Sequence, residues 1–160
     1  NNQFAINLSG QSLTDNELLN WLKGNQALEG GNFGKILFEV TETAALSNIQ
    51  SANSFISTLK SRGSKFALDD FGMGFSSFNY LKQLSVDYLK IDGSFIQNLP
   101  RDSMNQDLVQ SIVEVAHRLK KETIAEFVED EETLRMVRNY GTDHAQGFHI
   151  GRPQPLQSLL

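Results

Sequence analysis

Seven polar side chains stand where strands are normally apolar, and their types suit one kind of chemistry. Asn7, Glu39, Asp69 with Asp70, Lys90, Glu126 and Gln146 each lie near the C-terminal end of a short apolar run. Buried charges are costly unless they are paired or bind metal. The carboxylates of Glu39, Asp69, Asp70 and Glu126, with the amide oxygen of Asn7, form a set of hard oxygen donors suited to Mg2+ or Mn2+. The adjacent pair Asp69-Asp70 can bridge two such ions, one carboxylate shared and one private. Two ions about 3.5–4 Å apart clamp the attacking and leaving oxygens of a phosphate ester. They also let an acidic pocket accept an anion. Lys90 stays protonated in such company and can orient a nucleophilic water. The same rim suits abstraction of a proton beside a metal-bound carboxylate. Taken singly, Asn7 and Glu39 also read as structural hydrogen-bonding residues, and Asp69-Asp70 before Phe71-Gly72 as a helix cap or turn. Their joint occurrence at successive strand ends describes a site.

The elements that must position these groups alternate along the chain. Apolar runs at 4–8, 35–40, 65–70, 87–92, 123–127 and 143–147 read as strands. Within them Phe4, Ile6 and Leu8 oppose Ala5, Asn7 and Ser9, and Ile36, Phe38 and Val40 oppose Leu37, Glu39 and Thr41. One face is therefore apolar and takes the helices, while Asn7, Glu39 and Lys90 point inward. Helical spacing appears after a capping box at Thr14 and Glu17, and across Leu46, Ile49, Phe55, Ile56 and Leu59 with Gly63 as a stop. A short helix is expected at Phe78, Leu81 and Leu84. Others carry the stripes Met104, Leu108, Ile112, Val115, Leu119 and Leu134, Val137, Tyr140. Repeated β-α units predict parallel strands with crossover helices, and in a (β/α) barrel the strand C-termini form the reactive rim.

Composition narrows the class. The 160 residues suit one domain, without a linker or low-complexity tract. A net charge of −5 argues against a DNA or RNA tract. The absence of cysteine removes disulfides and thiolate zinc sites, and fits a reducing, cytoplasmic setting. Gly72-Met73-Gly74 lacks the third glycine of a dinucleotide loop, since residue 77 is Ser. His117, His144 and His149 read as structural, Trp21 as packing on the first helix, and Glu129-Asp130-Glu131-Glu132 as a helix start.

Several ordered motifs together resemble the EAL family, bacterial phosphodiesterases of the second messenger cyclic di-GMP. They are Ile6-Asn7-Leu8-Ser9, Phe38-Glu39-Val40-Thr41-Glu42-Thr43, Asp69-Asp70-Phe71-Gly72, Leu89-Lys90-Ile91-Asp92, Ala125-Glu126-Phe127-Val128-Glu129, Gln146-Gly147-Phe148 and Gly151-Arg152-Pro153. The resemblance implies hydrolysis of cyclic di-GMP to linear pGpG with two Mg2+ or Mn2+ ions, and inhibition by Ca2+. It implies metal ligation by Asn7, Glu39, Asp69, Asp70 and Glu126, with Asp69 bridging, and a water held by Lys90. Glu126 has a second implied role as general base. Glu129 and Gln146 are implied contacts of water or substrate, and Phe148 and Pro153 of substrate. Glu42 is implied to brace the loop from Phe71 to Ser77, in which Gly72 and Ser76 lie, with Asp92 in support; that loop is implied to couple metal binding to homodimerisation. Phe127 stands where the family often has glycine, and Met73 and Phe75 stand where it has threonine and tyrosine.

The Glu-Ala-Leu strand that names the family, with a further metal-binding glutamate and a substrate-contacting arginine, is not in this sequence. The expected fold is therefore an incomplete (β/α)8 TIM-like barrel of the EAL type, a domain at 1–160 lacking its N-terminal strands. Six strands in 160 residues scale to roughly 210 for eight. The isolated piece is expected to be inactive. The alternative function is a non-catalytic cyclic di-GMP receptor or scaffold. The resemblance also implies an upstream sensory or diguanylate cyclase domain, with a parent that upstream segments can tether to a membrane.

Overall fold

Period-two alternation yields six strands, and all pair in parallel in the order β1-β2-β3-β4-β5-β6. The computed structural model describes residues 3–25, 32–72, 78–155 and 157. The strands are β1 (Phe4–Leu8), β2 (Ile36–Thr41), β3 (Lys65–Phe71), β4 (Tyr88–Ile91), β5 (Glu122–Ala125) and β6 (His144–Ala145). The helices are α1 (Asn16–Gly24), α2 (Glu42–Ser47), α3 (Ile49–Lys60), α4 (Gly93–Ile96), α5 (Ser103–Arg118) and α6 (Glu131–Asn139). Neighbours in sequence are neighbours in the sheet, as short β-α connections favour. Among the described residues the sheet is open, because β1 and β6 do not pair with each other.

The two sheet faces do different work. Phe38, Val40, Phe66, Leu68, Leu89, Ile91 and Ala125 point outward into the large core, joined there by Phe55, Ile56 and Leu59 of α3 and Val109, Ile112 and Val113 of α5. Leu37, Ala67 and Tyr88, with Ile124 against them, form a separate apolar layer on the inner face. One step further along each strand, on that same face, come Glu39, Asp69, Lys90 and Glu126. The apolar layer is the floor beneath the polar rim.

Local chemistry moves several expected boundaries. Asp15, not Thr14, caps α1: its Oδ1 accepts from Glu17 N at 2.8 Å and Leu18 N at 2.9 Å. Thr14 instead donates to Gln11 O within a short 3-10 turn. The single helix expected from Leu46 to Leu59 is broken at Asn48, whose side chain accepts from Ser51 N and starts α3. The α5 stripe is also rotated. Met104 and Leu108 are exposed, while Val109, Ile112, Val113 and Ala116 are buried, because a four-residue step drifts away from a 3.6-residue turn. Trp21 does not pack: it is 61% exposed, and α1 buries Leu22 instead. On β1 the helix-facing side is covered only at Leu8, since this edge strand leaves Phe4 and Ile6 exposed. No helix among the described residues is long and apolar enough to cross a membrane.

Two aspartates tie the N-terminal ends of the strands by the same device. Asp87, just before β4, accepts from Phe66 N of β3 at 2.9 Å and from Lys60 Nζ at 2.7 Å. Asp143, just before β6, accepts from Thr123 N of β5 at 2.7 Å, from Thr123 Oγ1 at 2.9 Å and from His117 Nε2 at 2.9 Å. Burial works to raise the Asp143 pKa, but the hydrogen bonds from His117 and Thr123 outweigh it and hold the carboxyl below 3.8. Its folded value is depressed, so its stabilisation is complete above the unfolded value and is lost as pH falls through the folded one. Asp143→Ala strands the fully buried Thr123 N–H and is expected to cost about 2 kcal/mol in denaturant unfolding at pH 7. That difference from the unmutated protein should shrink below about pH 4.

Candidate metal centre

Consecutive residues of a regular strand face opposite sides of a sheet, so Asp69 and Asp70 cannot share a site without a distortion. The distortion is present. The β3–β4 register shifts between Leu68 and Phe71, and Asp70 takes a left-handed backbone with φ 55°. The bulge turns the Asp70 carboxylate to the same end as that of Asp69. Oxygens of Asp69, Asp70 and Glu126 all lie within 4.8 Å of one another.

Lys90 sits among these groups, 3% exposed. Its Nζ is 2.8 Å from Asp69 Oδ1, 2.9 Å from Glu126 Oε1 and 3.2 Å from Glu39 Oε2. Thr41 pairs with Asp69, which sets Glu39 two residues lower in register; strand tilt brings it level with the lysine. Burial works to lower the Lys90 pKa, but Asp69 and Glu126 outweigh it and hold the ammonium charged far above neutrality. Burial raises the Glu126 pKa, opposed by the hydrogen bond from Lys90. Burial also raises Asp70, helped by the charges of Asp69 and Asp92 and opposed by Lys90. The acidic groups are thus crowded beyond what one lysine neutralises. Buried Asp69 Oδ1 meets only the Lys90 ammonium, at 2.8 Å, among the described residues. An under-satisfied buried carboxylate oxygen beside two further carboxylates fits a hard divalent cation.

The other expected site residues lie around this centre. Asn7 is exposed on β1 and pairs in register with Glu39. Glu42 is buried and accepts from Gly72 N at 3.3 Å and from the Tyr80 hydroxyl. Asp92 caps α4 by accepting from Ser94 N at 2.9 Å. Glu129 is exposed, just before the Asp130 cap of α6. Gln146 is exposed, and its backbone links β6 to Ala125 O and Val128 N. Phe148 is exposed with the Arg152 guanidinium 4.7 Å from its ring centroid, and Pro153 is exposed beside it. Ser76, with Met73, Gly74, Phe75 and Ser77, lies outside the described residues. His117 and His144 pair with Asp143 and Glu122 at the N-terminal ends of the strands, and His149 pairs with Glu131 of α6.

Two features of the rim go beyond the sequence reading, which noted Phe127 only as standing where the family often has glycine. Phe127, directly after Glu126, is left-handed with φ 54° and half exposed. A Cβ on Gly93 would lie 2.2 Å from its ring, so Gly93 is the seat on which that ring rests. Tyr80, hydrogen-bonded to Glu42, was also not singled out. Its only signal was a position in the turn that follows the Asp69-Asp70 segment.

A parallel α/β sheet with acidic strand ends around a buried lysine defines a class of hard-cation sites on barrel-type folds. Comparison narrows the class to one family. The family model described as EAL domain matches residues 1–153, and the chain belongs to the EAL domain family. It is 42% identical over 154 residues to cyclic di-GMP phosphodiesterase PdeB of Shewanella oneidensis, covering 96% of this chain and 18% of the relative. It is 39% identical to cyclic di-GMP phosphodiesterase PdeF of Escherichia coli, covering 99% of this chain and 21% of the relative. The chain thus spans about a fifth of the length of these curated relatives. Among solved structures, the phosphodiesterase PaMucR in complex with c-di-GMP superposes with a TM-score of 0.89 at 33% identity, over 99% of this chain and 64% of that one. The FimX EAL domain of Pseudomonas aeruginosa bound to c-di-GMP gives 0.87 at 30% identity, over 95% of this chain and 62% of that one.

Removing the lysine exposes the electrostatic balance. Lys90→Met leaves Glu39, Asp69 and Glu126 without their buried cation and is expected to cost about 3–5 kcal/mol at neutral pH without divalent metal. Burial already raises the Glu126 pKa and Lys90 opposes that rise, so without the lysine Glu126 should take up a proton more readily and the deficit should shrink as pH falls. Urea titrations of both proteins from pH 8 to pH 5 check this.

Proposed function

We propose that this chain carries the catalytic rim of a metal-dependent phosphodiesterase that opens cyclic di-GMP to linear pGpG. The observation that carries the reading is the grouping of Asp69, Asp70 and Glu126 oxygens around a buried, charged Lys90, in a chain whose relatives are named as enzymes of that substrate. Asp69, Asp70 and Glu126, with Glu39 and Asn7 beside them, would hold two Mg2+ or Mn2+ ions. When bound, such ions supply charge neutralisation at the phosphate and a lower pKa for water.

The remaining steps belong to the chain's own side chains. Lys90 spends its donors on three carboxylates here; a carboxylate turned toward a cation releases an N–H, which can then hold the attacking water. Attack of that water oxygen on phosphorus breaks the bond to the ribose 3′-oxygen, which takes a proton, and leaves a 5′-phosphate on the linear product. Gln146 and Glu129 border the rim and suit contacts to water or substrate. Phe148, stacked with Arg152, offers an aromatic surface to a guanine base. Assembly as a homodimer through the turn after Asp70, and a diguanylate cyclase or sensory module in the same protein, belong to this reading as well.

In the full-length protein that contains this chain, Lys90→Ala and Glu126→Gln are each expected to lower kcat by at least about a hundredfold, and chelation of divalent metal should abolish turnover. Chromatographic detection of pGpG from cyclic di-GMP measures both. Tight calorimetric binding of cyclic di-GMP without product, metal present, would instead assign a receptor.

A further inference from the structure

The Glu42 carboxylate is buried at the start of α2, yet no cation faces it among the described residues. It takes two hydrogen bonds, from Gly72 N at 3.3 Å on Oε2 and from the Tyr80 hydroxyl on Oε1. These donors belong to different parts of the chain. Gly72 ends the turn that aims Asp70, whereas Tyr80 lies in the 3-10 turn Phe78–Lys82.

The turn after Asp70 needs restraint. Asp70 is left-handed at φ 55° and Gly72 has φ 106°. A non-glycine residue in that region is strained, so it persists only where its surroundings over-determine it. Three restraints are visible. Asp92 N donates to Phe71 O at 3.3 Å. The Phe95 ring lies where a Cβ on Gly72 would fall, 2.7 Å away. Glu42 holds Gly72 N. A flexible glutamate fixes a backbone N–H only when its own orientation is fixed, and the second oxygen is where that happens. Tyr80 is suited to the task because its ring is buried in the main core, so its hydroxyl has a set position.

We propose that Tyr80 is a positioning residue of the metal centre: its hydroxyl locks the Glu42 carboxylate onto Gly72 N and thereby holds the Asp70 carboxylate beside that of Asp69. The proposal rests on the metal-centre reading and extends it to a side chain that touches no ligand.

The test is Mn2+ affinity of the whole protein, followed by the loss of the free-ion electron paramagnetic resonance signal on titration, with melting temperature recorded in parallel. Tyr80→Phe keeps the buried ring and is expected to weaken Mn2+ binding about tenfold. Glu42→Leu should do the same or more, and the double variant should bind no more weakly than Glu42→Leu alone. Asp143→Asn, which loosens the opposite end of the sheet, should lower the melting temperature and leave Mn2+ affinity unchanged. Mn2+ binding by Tyr80→Phe within twofold of the unmutated protein, or losses that multiply in the double variant, overturns the proposal while leaving the metal centre standing. An unmutated protein that binds no Mn2+ overturns the metal-centre reading and this proposal together.

Discussion

The ammonium of Lys90, buried among Glu39, Asp69 and Glu126, sets the terms for the rest of the molecule. Four charged groups this close, three of one sign, are unfavourable in a protein interior unless geometry compensates for lost hydration. Compensation requires four strands to end at one height with their inward side chains converging. A parallel sheet with regular stagger provides that, and the apolar layer of Leu37, Ala67, Tyr88 and Ile124 beneath keeps water from entering below. Even so the balance is incomplete. Three carboxylates face one cation, Asp70 stands close by, and burial raises both Glu126 and Asp70 toward protonation. Among the described residues the centre holds more negative charge than Lys90 neutralises, a condition that suits a divalent ion.

Regular secondary structure cannot build this centre unaided. Strand alternation would send Asp70 to the helix side; the bulge and the positive φ bring it back. A second departure follows Glu126, where Phe127 is also left-handed and leans on Gly93. Both unusual backbones directly follow a candidate ligand at a strand end. Strain at these positions is tolerated because each is restrained: Asp70 through Phe71, Gly72 and Glu42, and Phe127 through its seat on Gly93.

This division explains what could be read in the sequence. Most strands were legible from period-two alternation, β6 with its thin apolar content only from its place in the β-α repeat, and Asn7, Glu39, Lys90 and Glu126 stood out because polar residues recur together at successive strand ends, although Asn7 or Glu39 alone also suits a structural hydrogen bond. The helices were legible as segments but not in their limits. Asp15 and Asn48 start helices through a side-chain oxygen meeting a backbone N–H, a competition that spacing does not reveal. The buried face of α5 was misjudged because Met104 and Leu108 are apolar whether or not anything covers them. The bulge at Asp70 has no compositional mark beyond two adjacent aspartates, and Tyr80 reaches Glu42 across 38 positions of sequence, a contact that only the folded chain defines.

The aspartates show how placement within one sheet separates stability from reactivity. Asp143 and Asp70 share a side chain and differ in company. Asp143, below the apolar layer, gathers hydrogen bonds from Thr123 and His117 that outweigh its burial and depress its pKa. Asp70, above the layer, meets burial and other carboxylates, with only Lys90 opposing them, and its pKa rises. The first carboxylate is satisfied and stabilises the fold; the second has, among the described residues, only the Lys90 charge to offset its burial and its acidic neighbours. A fold that satisfied both would be more stable and would have nothing with which to bind an ion. The open demand at Asp69, Asp70 and Glu126 is affordable because Asp87 and Asp143 secure the strands at the other end, leaving the rim free to keep its unpaired charge.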